Sequence, residues 1–314
     1  MPADSSTDHA AAAAGRGSGV IHDIGYRHYE GPRLGRPAIV RALCWHSLRS
    51  AFGFGRGAKA KIVPVIAFVI MCLPAVANAV SVAQGGGRSI SYDTYIFQLR
   101  VIIMIIFIAA QAPELVSRDL RSHVLPLYFS RPLRRLDYPF AKLAAFILAC
   151  LAMIEIPLLF LYLGTITQAH GGSAIWHETR ALIPGLLVGL LWAVLLAAIG
   201  LVIASFSGRR AYSTGAIAIC FFLSWVLAGI LRGVAGGRGA FTGGLGVAST
   251  GERLSGLVSP FTVLDGVRQW LGGTSPGPVP PPGNLGPLYG AMFLLLLVAA
   301  VAGLATRYRK AGVA

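Results

Sequence analysis

The residues with the most chemistry to offer lie in one stretch, PELVSRDLRSHVLPLYFSRPLRRLDYPFAKLAAF, running from Pro113 to Phe146. Glu114 closes an apolar run there. Behind it, Leu115, Val116, Leu120, Val124 and Leu125 alternate with Arg118, Asp119 and Arg121 in the pattern of a short amphipathic helix. Such a helix can seat its apolar face in a groove of a soluble partner while its charges set the register. The plainer reading is that these arginines only hold the positive side of a membrane protein in place. Two other charges interrupt long apolar runs, Arg100 and Glu155. Counted along their helices at 1.5 Å per residue, Glu155 lies roughly 24 Å and Arg100 roughly 21 Å from the same end. A charge left unpaired near a bilayer centre costs about 2.5–3.5 kcal/mol. The similar depths therefore predict that Arg100 and Glu155 pair. The rival reading gives Glu155, beside Pro157, a proton- or substrate-binding role in a secondary carrier.

Other chemistries lack their residues. The sequence holds no G-x-x-x-x-G-K-[ST] loop to cradle a nucleotide phosphate, and no H-E-x-x-H or G-x-S-x-G. The run from Gly53 to Gly57 reads as a helix breaker. His170 and His177 share a loop, but two ligands make a weak metal site. The four cysteines are widely spaced, with no metal-like or disulfide framework.

The elements that must position these residues are membrane elements. Hydrophobic residues make up 55% of the 314, and only 12% are charged, too few to cover a water-facing surface. The mean hydropathy is +0.68. Composition thus excludes a soluble enzyme and a disordered protein, and points to an all-α polytopic membrane protein. Residues 1–20 read as a disordered tail without a signal-peptide core. Residues 21–61 read as a cytoplasmic segment leading to an amphipathic helix, Pro37 to Phe52, that lies in the membrane interface. Residues 62–314 read as six spans: Ile62–Ala83, Tyr95–Gln111, Tyr138–Leu163, Ala181–Phe206, Ala211–Leu231 and Pro287–Thr306. The fourth carries small residues Gly185, Gly189, Ala193 and Ala197 at steps of four, which suits close helix packing. An outer insertion, 232–286, contains 15 Gly and 6 Pro. Inside it Ser259-Pro260 starts a short helix whose apolar face is Phe261, Leu264, Val267, Trp270 and Leu271.

Six spans put both termini on one side, with 20 of the 27 basic residues. Basic flanks stay cytoplasmic, so both termini are expected there. The net charge of +15 is then spent on orientation and on anionic membrane lipid, and nucleic acid is not expected as a partner.

The stretch from Glu114 through Ser130-Arg131 to Lys142 resembles the permease subunit of a bacterial type-2 ABC transporter of the exporter class. Glu114, Ser130, Arg131 and Lys142 match a recurring order in that family. Where the family usually has a Gly-Thr pair, Ser122 and His123 stand here. The Tyr26-Arg27 and Gly31-Pro32-Arg33 segments are similar to one bacterial branch of these permeases. The resemblance implies a multi-pass protein of the bacterial cytoplasmic membrane, dimeric with a second permease subunit, identical or not. It also implies a separate cytoplasmic ATPase subunit that binds ATP and Mg, with no cofactor on this chain and no enzymatic activity of its own. Glu114, Leu115, Arg118, Asp119, Arg121, Ser130 and Arg131 would couple the two proteins, and the helix bearing Phe261, Leu264 and Trp270 would cap the exit route. An ion-coupled carrier and a non-transporting scaffold are the alternatives, though a carrier predicts repeated halves and several buried acids.

Overall fold

A computed structural model describes residues 31, 35–85, 90–95, 97, 99–121, 128, 133–169, 171–236, 249–273, 277 and 280–311. Gly35–Ala314 forms one compact unit, and among the described residues it is all-helical, with no strand. The helices are α1 (Arg36–Ala51), α2 (Ala58–Ala83), α3 (Leu99–Arg121), α4 (Asp137–Ile166), α5 (Gly172–Ser205), α6 (Arg210–Gly236), α7 (Thr250–Ser255), α8 (Pro260–Trp270) and α9 (Gly286–Ala311).

Five of these, α2, α4, α5, α6 and α9, are long and apolar enough to cross a membrane. The apolar part of α3, Val101–Ser117, is shorter. The side-chain distribution gives the same answer. On α2 the inward stripe is Pro64, Ala67, Met71, Ala75 and Asn78, while Ile62, Val65, Ile66, Val69, Leu73, Val76 and Val80 are exposed. Ile219, Phe222 and Leu223 on α6 and Leu294, Leu295 and Val298 on α9 are exposed as well. An apolar belt of this extent is stable against lipid and not against water. The chain is therefore a multi-pass membrane protein.

The core sits on α5, which packs against α3, α4, α6, α8 and α9. Its small-residue stripe faces inward. Gly185 is covered by Tyr92, Gly189 by Ile154 and Glu155, and Gly200 by Ile108, while Ala193 and Ala197 are fully buried. The stripe thus packs helices within the chain.

Helix boundaries differ from the sequence reading in three informative places. Pro64, Pro74, Pro113, Pro157 and Pro184 all lie inside helices, because neighbouring helices tolerate the freed carbonyls in a membrane bundle. Consequently α3 runs through Pro113 and Glu114 to Arg121 instead of stopping there. α5 begins at Gly172, so His177 lies exposed on a helix and not in a loop; His170 is outside the described residues. Helix α1 packs along α4. Arg36, at its start, meets Asp137 at the start of α4, and Phe52, just past its end, meets Phe107, which itself stacks on Phe146. From Asp137 to Phe146 is roughly 13 Å along α4. α1 therefore slants down α4, burying Leu43, Ser47 and Ala51. At Gly53 (φ +74°) the chain turns back, and a Cβ there would stand 2.7 Å from the Ala60 carbonyl oxygen, so only glycine fits.

Candidate functional site

Ion pairs knit the end of the bundle where α2, α4 and α6 begin and α3, α5 and α9 finish. At the centre is Glu114, buried on α3. Arg56, one residue before the Gly57 cap of α2, reaches its Oε2 at 2.6 Å, and Arg210, the first residue of α6, pairs with its Oε1. One carboxylate thus ties the starts of two other helices to α3. One turn further, Asp119 accepts from Lys142 Nζ at 2.9 Å and from the Tyr138 hydroxyl at 2.6 Å, both on α4. Lys142 also lies 5.4 Å from the Tyr138 ring centroid, and Tyr138 packs on Tyr308 of α9. Between the two carboxylates the hydroxyls of Ser117 (α3) and Ser213 (α6) lie 3.1 Å apart, and Ser117 donates to the Ala204 carbonyl of α5 at 3.0 Å. Arg36 forms a two-pronged pair with Asp137, Nε to Oδ2 at 2.6 Å and Nη2 to Oδ1 at 2.5 Å. That hydrogen bonding raises the guanidinium pKa further above its usual value. The last two turns of α3 are therefore joined to the start of α2, to α4 and to α6.

This geometry changes the reading of the expected coupling helix. Leu115 and Val116 are each 1% exposed, inside the bundle core. Their apolar surface is spent within the chain and is not offered to a partner. Glu114 and Asp119 hold the helix to its neighbours; Arg121 is exposed. The side chains of Arg118 and Leu120, and Val124, Leu125, Ser130 and Arg131, lie outside the described residues. Arg56 and Arg210, which complete the Glu114 cluster, were not singled out by sequence, because they lie 58 and 96 residues from their partner.

Glu155 on α4 is packed face-on against Gly189 of α5. Both carboxyl oxygens are shielded and find no hydrogen-bond partner among the described residues; the expected Arg100–Glu155 pair lies outside them. The Arg100 side chain is outside the described residues.

At the other end, Ser259 and Pro260 start α8 as expected. Phe261, Val263, Leu264 and Val267 are buried, with Phe261 against Trp192 and Phe221. Trp270 and Leu271 are exposed, although one edge of Trp270 covers Gly286 and Gly290 of α9. The polar face of α8 is also buried. Asp265 is 0% and Arg268 1% exposed. Arg268 binds Asp265 at 2.9 Å and Asp93 at 2.6 Å and stacks over Phe97. The i, i+3 spacing of Asp265 and Arg268 was a legible signal for this pair; Asp93 was not. The neighbouring α7 is closed by a capping box between Ser249 and Glu252.

Among the described residues no group of three or more metal-ligating side chains occurs. The sequence matches no protein-family model and no curated protein.

Proposed function

We propose that the chain is the membrane-spanning permease subunit of an ATP-driven ABC transporter, exporting its substrate under power from a separate cytoplasmic ATPase. The observation that supports this most is the Glu114 cluster. A force applied to the segment following α3 would pass through Glu114 to α2 and α6, and through Asp119 to α4, without bending any of them. A linkage of this kind is what a driven permease needs to convert a push at one end into helix motion. In this reading α3 is the sixth span. Its apolar part, the 17 residues Val101–Ser117, reaches about 25 Å, at the short end of what crosses a bilayer. Both termini and the basic end are then cytoplasmic, the ion-paired end of the bundle faces the ATPase, and α8 caps the outer side. The chain itself is not an enzyme, and ATP and Mg belong to the partner. A second permease copy, identical or related, completes the path.

Co-purification tests the reading. An ATPase subunit encoded beside this chain should come down with it, and Arg121→Glu should weaken that association while leaving the permease monodisperse. Substrate movement by the isolated chain, driven by an ion gradient and abolished in Glu155→Gln, would instead establish the carrier reading, which the unpartnered Glu155 carboxyl favours.

A further inference from the structure

We propose that the groove between α1 and α4 binds an anionic phospholipid, with one acyl chain lying along the groove and the phosphate at Arg41. The groove has a volume of about 690 Å³. Val40, Cys44 and Leu48 of α1 form one wall, and Phe140, Ala144 and Leu148 of α4 form the other. Measured from Arg36 to Leu48 and from Asp137 to Leu148, each wall runs roughly 16–18 Å. Phe140, Ala144 and Leu148 are exposed. The groove therefore opens onto the apolar belt, where the solvent is acyl chain and not water. A long, narrow apolar slot in that position suits a lipid chain.

Charge decides which lipid. The polar lining lies toward the end where both helices begin. There Arg36 and Asp137 cancel one another, and Asp137 Oδ2 also accepts from the Arg134 backbone N–H. Arg41 lines the groove as well, is exposed, and makes no ion pair among the described residues. The sequence of α1 contains no acidic residue, and Arg134 and Arg135, just before α4, are exposed too. One end of the slot thus carries uncompensated positive charge while its length is apolar. That division complements a lipid whose phosphate has no ammonium to neutralise it. Trp45, one turn beyond Arg41, is exposed along the same groove. An indole settles at the boundary between headgroup and acyl chain, the level at which a phosphate on Arg41 places it. A second copy meeting this face by two-fold symmetry in the same membrane would set the basic end against itself, so charge favours lipid over self-association here. The site needs no ATPase and stands whether or not the transporter reading does.

Native mass spectrometry of the purified chain tests this, after exchange into detergent with equal amounts of a glycerol-headed anionic lipid and a choline-headed zwitterionic lipid of identical acyl chains. The anionic lipid should be retained over the choline lipid by about fivefold, the scale of one arginine beside an anionic membrane surface. Arg41→Gln should abolish that preference. Arg49→Gln, exposed on the same helix but outside the groove lining, should preserve it. Ala144→Trp, at an exposed position, should fill the slot and lower retention of both lipids. Absence of a preference in the wild-type chain would overturn the proposal. So would an equal loss in Arg41→Gln and Arg49→Gln, which would reduce the effect to diffuse surface charge. A dimer that Ala144→Trp dissociates while lipid retention stays unchanged would overturn the lipid and assign the groove to a second copy.

Discussion

Arg268 on α8 and Asp93, 175 residues earlier in the chain, form a 2.6 Å ion pair in which the guanidinium is almost wholly buried. Asp265 accepts from the Nε and Nη2 of the same guanidinium and Gln269 braces Asp265, while Phe97 covers its face. This one side chain therefore binds α8 to the segment that leads into α3. Removing it takes the guanidinium away from the fully buried Asp265 and the part-buried Asp93. Arg268→Met should cost about 3–5 kcal/mol, the range for breaking a buried ion pair by deleting one partner. Reversible unfolding in mixed micelles measures this. Arg268→Lys should recover little, because a single ammonium cannot span both carboxylates as the planar fork does. Adding Asp93→Asn and Asp265→Asn to Arg268→Met should recover more. Full stability in Arg268→Met would show that the pair contributes no net stabilisation.

The contact between Gly189 and Glu155 makes opposite forecasts for its two members. A methyl group at position 189 would overlap the Glu155 carboxyl, so Gly189→Leu should separate α4 from α5 and cost about 1–3 kcal/mol or more. Glu155→Gln keeps the shape and removes a charge that finds no partner among the described residues. That variant should fold with equal or greater thermal stability. A large loss of stability in Glu155→Gln would mean that the carboxylate makes an interaction this arrangement does not hold.

Glu114 should separate binding from transmission. In Glu114→Gln the carboxylate that joins α3 to the starts of α2 and α6 is gone, yet the exposed Arg121 remains. On the proposed transporter reading, the complex with an ATPase subunit should still assemble, while substrate-stimulated ATP hydrolysis in proteoliposomes should fall by about tenfold or more, equivalent to losing one charged hydrogen bond of roughly 1.5–3 kcal/mol. Loss of assembly with unchanged coupling in the residual complex would assign Glu114 to docking instead.

Sidedness is open to direct labelling. In a background where Cys44, Cys72, Cys150 and Cys220, all free, are replaced, Arg121→Cys and Thr250→Cys place one thiol at each end of the bundle. An impermeant maleimide added outside intact cells should modify only Thr250→Cys. Modification of Arg121→Cys from outside would overturn the proposed orientation and with it the proposed ATPase-facing role of α3.

Much of the architecture was legible from residues alone, for a physical reason: lipid leaves the backbone no alternative to helix, so long apolar runs such as Ala58–Ala83 and Gly286–Ala311 could become nothing else. The small-residue stripe of α5 and the Ser259-Pro260 start of α8 were equally local signals and needed only spacing to be read. Helix ends were less legible. The apolar run was read as a span ending at Gln111, but neighbouring helices carry α3 through Pro113 to Arg121 and draw Leu115 and Val116 into the core.

Charge partners lay beyond reach of the sequence altogether. Composition and position identified Arg100 and Glu155 as costly inside a membrane, which is a property of each residue by itself. Which cation meets which anion depends on helices far apart in the chain arriving at one level with a particular rotation. That is why Glu114 finds Arg56 and Arg210, Asp93 finds Arg268, and Glu155 meets the backbone of Gly189. Residue chemistry determined that the protein is a helical membrane bundle with a charged end; only tertiary packing decided how that end is fastened together.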